Sequence, residues 1–163
     1  MRLISNAFFA ATLIGAPFLA SAASAQSCPS YGTSGSALSY DSDTVYSAQS
    51  HDLYAGGDIQ LGNCDDIPGY GYIVESPDFT LQYDAQDRGR ALEFRVEAEC
   101  DAILLVNDSR GGWHFNDDDQ VEGGGMILDP RLRLANAPSG QYDIWVGTLG
   151  EDICDATLYI ESW

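Results

Sequence analysis

The amino-acid sequence predicts an all-β protein, an antiparallel β-sandwich of about seven or eight short strands. Three observations support this class. Apolar residues alternate with polar ones along many short segments, turn-forming residues separate these segments, and no stretch carries apolar residues at helical spacing over three turns. Alternation turns one face of each strand towards a core and the other towards solvent, and two stacked sheets bury such faces.

The individual strands follow from their two-residue period. In ALEFRVEAE, residues 91–99, Leu92, Phe94 and Val96 point to one side and the charged residues point to the other. AILLV, residues 102–106, is apolar on both faces, which is typical of a central strand. Further strands are predicted at 78–84, 131–136, 141–147 and 157–162, with turns at 87–89, 109–112, 123–125 and 137–140.

The first 25 residues are predicted to be a secretory signal peptide rather than part of the fold. Met1 and Arg2 give a positive start, an apolar run too short for a membrane span follows, and Ala23-Ser24-Ala25 offers a cleavage site. Residues 26–49, rich in Ser, Gly, Tyr and Asp, predict an N-terminal arm, and residues 50–163 predict the sandwich domain. The expected location is the periplasm or the cell exterior.

The 138 residues that follow the predicted signal peptide are strongly acidic. They contain all 25 acidic residues, six arginines and no lysine, so six positive charges against 25 negative ones give a formal charge of −19. Such a surface repels polyanions, which argues against nucleic acid as a partner. Divalent cations and basic protein surfaces are the partners that this charge favours.

Four cysteines follow the predicted signal peptide, and an even number in an exported chain predicts two disulfides. Their spacing contains no C-x-x-C pair, which argues against zinc. Three pairings are possible. We favour Cys28 with Cys64 and Cys100 with Cys154, because the second bridge would tie the end of one strand to the approach of the last.

The stretch VNDSRGGWHFNDDD, residues 106–119, is open to an enzymatic interpretation. Ser109 lies next to an aspartate and two glycines, like a hydrolase nucleophile, and His114 could act as its base. A hairpin turn explains the same residues, because Asp108 and Ser109 favour turns and the glycines allow positive φ. We therefore predict a protein that is not an enzyme. A small secreted hydrolase of the serine type, or one using a carboxylate pair, is the alternative.

The end of that stretch concentrates oxygen ligands. Carboxylates held close together repel each other, and a bound Ca²⁺, which takes six to eight oxygens, would offset the repulsion. The run lacks the spacing of an EF-hand, and a solvated acidic loop is the alternative. The predicted calcium ligands are Asp108, Asn116, Asp117, Asp118, Asp119 and Asp129, with Asp41, Asp43, Asp65 and Asp66 as secondary candidates.

Aromatic residues on outward faces predict a ligand-binding surface. If Ile144 and Val146 face the core, Trp145 faces outward, and the same alternation applies to Tyr159 and Trp113. Such residues can stack on sugar rings or anchor a peptide, which makes a carbohydrate-binding module another alternative. They could instead cover the second face of a sheet or lie singly on the surface.

Several segments resemble the bacterial pre-peptidase C-terminal (PPC) domains, over about residues 89–162. The similar segments are GRALEFRVEAECDAILLVND, GGWHFNDDD, PRLRLANAPSGQYDIWVGTL and DATLYIES. This resemblance implies a sandwich of jelly-roll type that serves in secretion or adhesion and, in some members, binds calcium. It places Asn116 to Asp119 where the family carries its Asp pair. No protease domain precedes the match, so a stand-alone secreted copy is expected.

The sequence thus predicts an exported, non-catalytic binding or adhesion module that is stabilised by Ca²⁺. The expected partner is an extracellular or periplasmic protein or polysaccharide, without nucleic acid and without a membrane span.

Overall fold

A computed structural model describes residues 27–121 and 125–163, so the predicted signal peptide lies outside the described residues. The described chain is all-β, as predicted, with short 3-10 helices at 44–46 and 61–63. Every alternating segment forms a strand, and short strands that have no periodic signal are added between them. The strands are β1 (Ser36–Asp41), β2 (Gln49–Ala55), β3 (Ile59–Gln60), β4 (Tyr72–Ile73), β5 (Phe79–Asp84), β6 (Leu92–Ala98), β7 (Ala102–Asn107), β8 (Trp113–Asn116), β9 (Asp119–Val121), β10 (Gly125–Ile127), β11 (Arg131–Leu134), β12 (Gly140–Thr148) and β13 (Cys154–Ser162).

Eleven of these strands form two sheets. The other two strands, β9 and β10, pair only with each other. In the first sheet, one edge of β12 pairs with β7, which also pairs with β8, and the other edge pairs with β5 and β4. β1 lies parallel to β5, and β3 pairs with β4. The second sheet is antiparallel in the order β11-β6-β13-β2. A sandwich is confirmed, whereas the jelly-roll connectivity stays a prediction.

The two sheets stack through the apolar faces that the alternation predicts. β12 contributes Tyr142, Ile144 and Val146 to this core, and β6 contributes Phe94 and Val96. Burying one side chain of this size stabilises a fold by roughly 1.5–3 kcal/mol. The sandwich is therefore held together mainly by residues that the two-residue period identifies.

The outer face of the first sheet is also buried, where β7 and part of β12 lie. Ile103, Leu105 and Trp145 on this face pack against residues of the segment 59–74, called the cover segment below. The cover segment approaches β8 so closely that a Cβ at Gly69 would lie 2.2 Å from the ring of Phe115, and Gly69 also has a φ of +108°. Burial on both faces explains why β7 has no polar side.

Two disulfides fix the covering layer and the strand ends. Cys28 bonds to Cys64 in the cover segment, and Cys100, after β6, bonds to Cys154 at the start of β13. This is the pairing favoured from the sequence. The bridges close loops of 36 and 54 residues, and the chain-entropy relation gives each a stabilisation of roughly 4 kcal/mol.

The segment predicted as an N-terminal arm contributes to the sandwich. Its residues 36–41 form β1, and Val45 is fully buried in the core. β1 lies at a sheet edge with its side chains exposed or half-buried, so its sequence carries little periodic signal. No helix among the described residues has the length and apolar character needed to cross a membrane.

Candidate functional site

Strand β8 at the edge of the first sheet carries candidate residues on both of its faces. His114 is opposite Val106, which faces the sandwich core, whereas Phe115 is opposite Leu105, which faces the cover segment. Trp113 accordingly packs on the cover-segment side and His114 lies on the sandwich side. Each of these two neighbouring residues lines a different pocket.

The pocket on the cover-segment side is called the aromatic pocket below. The rings of Tyr31 and Trp113 lie 6.2 Å apart in it, and the pocket has a volume of about 340 Å³. The bonded Cys28 and Cys64 line it too. Tyr31 is 63% exposed, so its ring is accessible from solvent. The remaining lining includes Ile67 and the two exposed acids Asp65 and Asp66.

The pocket on the sandwich side is called the arginine pocket below. It has a volume of about 310 Å³ and lies between the turn before β8, strand β11 and the loop before β12. Arg110 comes from the turn and Arg133 from β11, and both are exposed. Its other lining residues include Asp108, His114, Pro138 and Tyr142.

The arginine pocket contains the proposed base of the hydrolase alternative, but the base is not joined to the proposed nucleophile. His114 Nε2 lies 2.7 Å from Asp108 Oδ2, whereas Ser109 Oγ donates a hydrogen bond of 3.3 Å to the hydroxyl of Tyr142. That hydroxyl donates onward to the carbonyl of Pro138 at 2.7 Å. A serine nucleophile needs a hydrogen bond to its base, and the described residues show none between Ser109 and His114.

Asp108 serves as the organising residue of the turn before β8. Its Oδ1 accepts hydrogen bonds from the N–H groups of Arg110 and Gly112, at 2.8 and 2.9 Å. Burial acts to raise the pKa of Asp108, but the hydrogen bonds from His114 and from these two N–H groups outweigh it, and the pKa is lowered. The hairpin turn thus accounts for the Asp-Ser sequence.

The predicted calcium ligands are held by several separate partners. Asn116 Oδ1 accepts from the N–H of Arg131, and Asp129 Oδ1 accepts from the N–H of Ala98. Asp119 lies 3.1 Å from the Nε of Arg131, and both line one pocket with Asp129. The Arg131 guanidinium therefore already supplies positive charge beside Asp119.

Asp117 and Asp118 have different neighbours from Asp119 and Asp129: they lie near Tyr70 and Asp101. The hydroxyl of Tyr70 donates to Asp117, and this hydrogen bond raises the pKa of Tyr70. Burial, followed by the charges of Asp118 and Asp117, raises the pKa of Asp101. Within residues 27–121 and 125–163, no group of three or more His, Cys, Asp or Glu side chains is placed to hold a metal ion. Calcium binding by the run stays a prediction.

The three predicted ligand-binding aromatics do not form one surface. Trp145 points away from the sandwich core, as the alternation requires, but the expected exposure needs correction because the covering layer buries it completely. Its indole contacts Trp113 at 5.3 Å. Tyr159 is on the second sheet, where the Arg95 guanidinium lies 4.0 Å from its ring. Of the three, only Trp113 lines the aromatic pocket.

Sequence reasoning did not identify several residues of the two pockets. Tyr31 lies in a segment without periodicity, 82 positions before Trp113, and the Cys28–Cys64 bridge brings it near. Arg110 lies in a predicted turn, where the local sequence does not indicate a pocket. Arginines are scarce in this acidic chain, and this scarcity could have marked Arg110 and Arg133 as candidate site residues.

By its architecture the chain is thus a β-sandwich with two disulfides. It matches no protein-family model and no curated protein. Among solved structures it is similar to PliG from Aeromonas hydrophila, described as a periplasmic inhibitor of g-type lysozyme, with 13% identity and a TM-score of 0.36 over 80% of this chain and 100% of that one. A likeness at this level supports no inference about function.

Proposed function

We propose that this protein is an exported, non-catalytic binding module whose partner is a basic protein surface, recognised at the aromatic pocket. The observation that carries the proposal is the composition of that pocket, where two aromatic rings stand beside two exposed carboxylates. The periplasm or the cell exterior is the location proposed, because disulfides such as the two described here persist in oxidising compartments.

The chemistry of the aromatic pocket suits a lysine or arginine side chain of the partner. A cation over the face of Tyr31 or Trp113 is attracted by the ring, an interaction worth roughly 0.5–2 kcal/mol. Asp65 and Asp66 at the same pocket add charge of the complementary sign. Exposed Tyr31 and half-buried Trp113 also offer apolar area to the methylene groups of such a side chain.

The charge of the whole molecule supports the same class of partner. With six positive charges against 25 negative ones after the predicted signal peptide, the long-range field attracts basic proteins and speeds their association. Salt screens such a field, since the Debye length is about 8 Å at physiological ionic strength. Association with a basic partner should therefore slow as salt is added.

The geometry around Ser109 supports a role without catalysis. The hydroxyl of Ser109 is engaged by Tyr142, and the side chain of Asp108 is committed to its own turn as well as to His114. A nucleophile needs a base that takes its proton directly. The geometry of the turn is enough to explain why these residues occur here, and a catalytic role is not needed to explain them.

The proposal is tested by measuring binding of the purified protein to a panel of probes. Hen egg-white lysozyme and poly-L-lysine serve as basic probes, and serum albumin serves as the acidic control. We expect the basic probes to bind. Their association rate should fall as the NaCl concentration rises from roughly 50 to roughly 300 mM, a range that includes physiological ionic strength. Equal binding of the acidic protein, or none by any basic probe, would remove the proposal.

Two pairs of matched variants locate the contact. Tyr31→Ala should weaken binding about tenfold, whereas Tyr54→Ala, at another exposed tyrosine, should leave it unchanged. The double change Asp65→Asn with Asp66→Asn should slow association. Its control is Asp87→Asn with Asp155→Asn, which alters the net charge equally at exposed positions outside the pocket.

Neutral oligosaccharides form the competing arm of the test. The intrinsic tryptophan fluorescence includes that of Trp113, so it should change when a ligand enters the aromatic pocket. A response to oligosaccharides that Tyr31→Ala abolishes, together with no response to basic proteins, would replace the proposed partner by a polysaccharide and make the protein a carbohydrate-binding module.

A further inference from the structure

The arginine pocket has a charge opposite to that of the rest of the molecule. Six arginines follow the predicted signal peptide, and four of them are ion-paired: Arg88, Arg90, Arg95 and Arg131. Arg110 and Arg133 have no carboxylate of the described residues within ion-pair distance, and both line this one pocket. In a chain with 25 acids, two such guanidinium groups in a single pocket indicate a site for an anion.

The remaining polar groups of the pocket leave the guanidinium donors available. Arg133 lies 4.7 Å from the ring centre of Trp163, a contact that uses no N–H donor. Asp108 is the acid that lines the pocket, and it is engaged by His114 and by two backbone N–H groups. Both carboxylate oxygens of Asp108 thus have partners in its own turn and β8, and two guanidinium charges against one carboxylate leave the lining with a net positive charge.

The walls of the pocket define what the anion carries. Leu134, Ala137 and Pro138 give the lining an apolar part beside the charged one. Guanidinium groups bind carboxylates in a planar, two-bonded geometry. A volume of about 310 Å³ is at the lower end of the range for small-molecule sites, which limits the bound part to a small group.

We propose that the arginine pocket binds a carboxylate that bears a short apolar group, held by Arg110 and Arg133 with the apolar group against Leu134 and Pro138. A free organic acid and the C-terminal residue of a peptide present this same chemistry. The site is separate from the aromatic pocket, because His114 and Trp113 lie on opposite faces of β8. The protein proposed above to bind a cationic partner would then also bind an anionic ligand at a second site.

The test is a calorimetric titration with N-acetyl-leucine and its neutral counterpart N-acetyl-leucine amide. We expect binding of the acid and at least tenfold weaker binding of the amide, since one hydrogen bond to a charged group is worth about 1.5–3 kcal/mol and 1.4 kcal/mol is tenfold. A peptide ending in leucine distinguishes the sources: tighter binding than that of the single acid assigns a peptide end, and equal binding assigns a free acid.

Variants show whether the two arginines are responsible. Arg110→Gln and Arg133→Gln should each weaken binding of the acid about tenfold, and Arg88→Gln, which removes an exposed arginine that is ion-paired elsewhere, should leave it unchanged. Thermal melting checks that the three variants fold alike. Absence of binding by the unchanged protein, equal binding of acid and amide, or equal effects of all three variants would overturn the proposal. Binding to basic probes tests the proposed function independently.

Discussion

Asp78, just before β5, is a half-buried acid whose ionisation should make the stability of the protein depend on pH. Its Oδ2 accepts a hydrogen bond of 2.7 Å from the N–H of Val146. Its backbone N–H donates to the carbonyl of Ile144, and its carbonyl accepts from the N–H of Ser36. Burial raises its pKa from 3.8 to about 7, although the Val146 hydrogen bond acts in the opposite direction.

The sign of the effect follows from comparing the folded and unfolded chains. Between pH 4 and pH 7 the folded protein keeps the proton of Asp78, while the unfolded chain has lost it. The free energy of unfolding therefore falls as the pH rises through this interval and levels off above about 7. A separation of about three pH units, at about 1.4 kcal/mol each, gives a loss of roughly 4 kcal/mol.

The substitution Asp78→Asn isolates this contribution. Asparagine keeps an oxygen that can accept from Val146 but does not ionise, so the variant should lose the decline that Asp78 causes. The measurement is urea unfolding of both proteins at half-unit steps from about pH 4 to pH 8. The stability difference, variant minus unchanged protein, should grow steadily by roughly 4 kcal/mol over this range.

Comparison with an exposed acid completes the experiment. Asp155→Asn alters the same chemical group on the surface, so its stability curve should run parallel to that of the unchanged protein. Burial lowers the pKa of His51, but this residue is common to all three proteins, so its contribution cancels in the differences. If the Asp78→Asn curve is also parallel between pH 5 and 8, burial of Asp78 does not control its ionisation and the reasoning is refuted.

Three further outcomes are expected. Trp145→Ala should lower the free energy of unfolding by roughly 3–5 kcal/mol, because it empties a fully buried site, and exposed Tyr54→Ala should change it by less than about 0.5 kcal/mol in the same denaturant assay. The calcium prediction is tested by measuring the melting temperature in Ca²⁺ and in EDTA. A difference of several degrees that Asp118→Ala abolishes supports calcium binding, and coincident melting curves contradict it. A fluorophosphonate probe should leave Ser109 unlabelled, and covalent labelling there would restore the serine-hydrolase alternative.

The two-residue period was sufficient to predict the class of fold. Leu92, Phe94 and Val96 alternate without interruption, and all three are buried in the sandwich core. The exposure of Trp145 could not be predicted in the same way. Whether its outer face meets water depends on the cover segment, whose short strands and 3-10 helix carry no periodic signal.

The candidate site was predicted in part, for a related reason. Trp113 and His114 were both named as candidates from the sequence, but the pockets that they line are completed by residues far away in the chain. The acidic run shows the same limit. Asp117 is engaged by Tyr70 and Asp119 by Arg131, and neither partner can be inferred from the local sequence. Spacing identifies which groups are present, whereas tertiary contacts decide what each of them meets.

The placement of Trp113 and His114 on opposite faces of a four-residue strand has a consequence for assembly. The two pockets lie against opposite faces of β8 and have no lining residue in common, so the proposed cationic and anionic ligands would not compete for space. If both proposed ligands bind, the protein would join two molecules across one strand. Any shift of β8 that accompanies one occupant would be felt by the other, and such coupling must be equal in both directions.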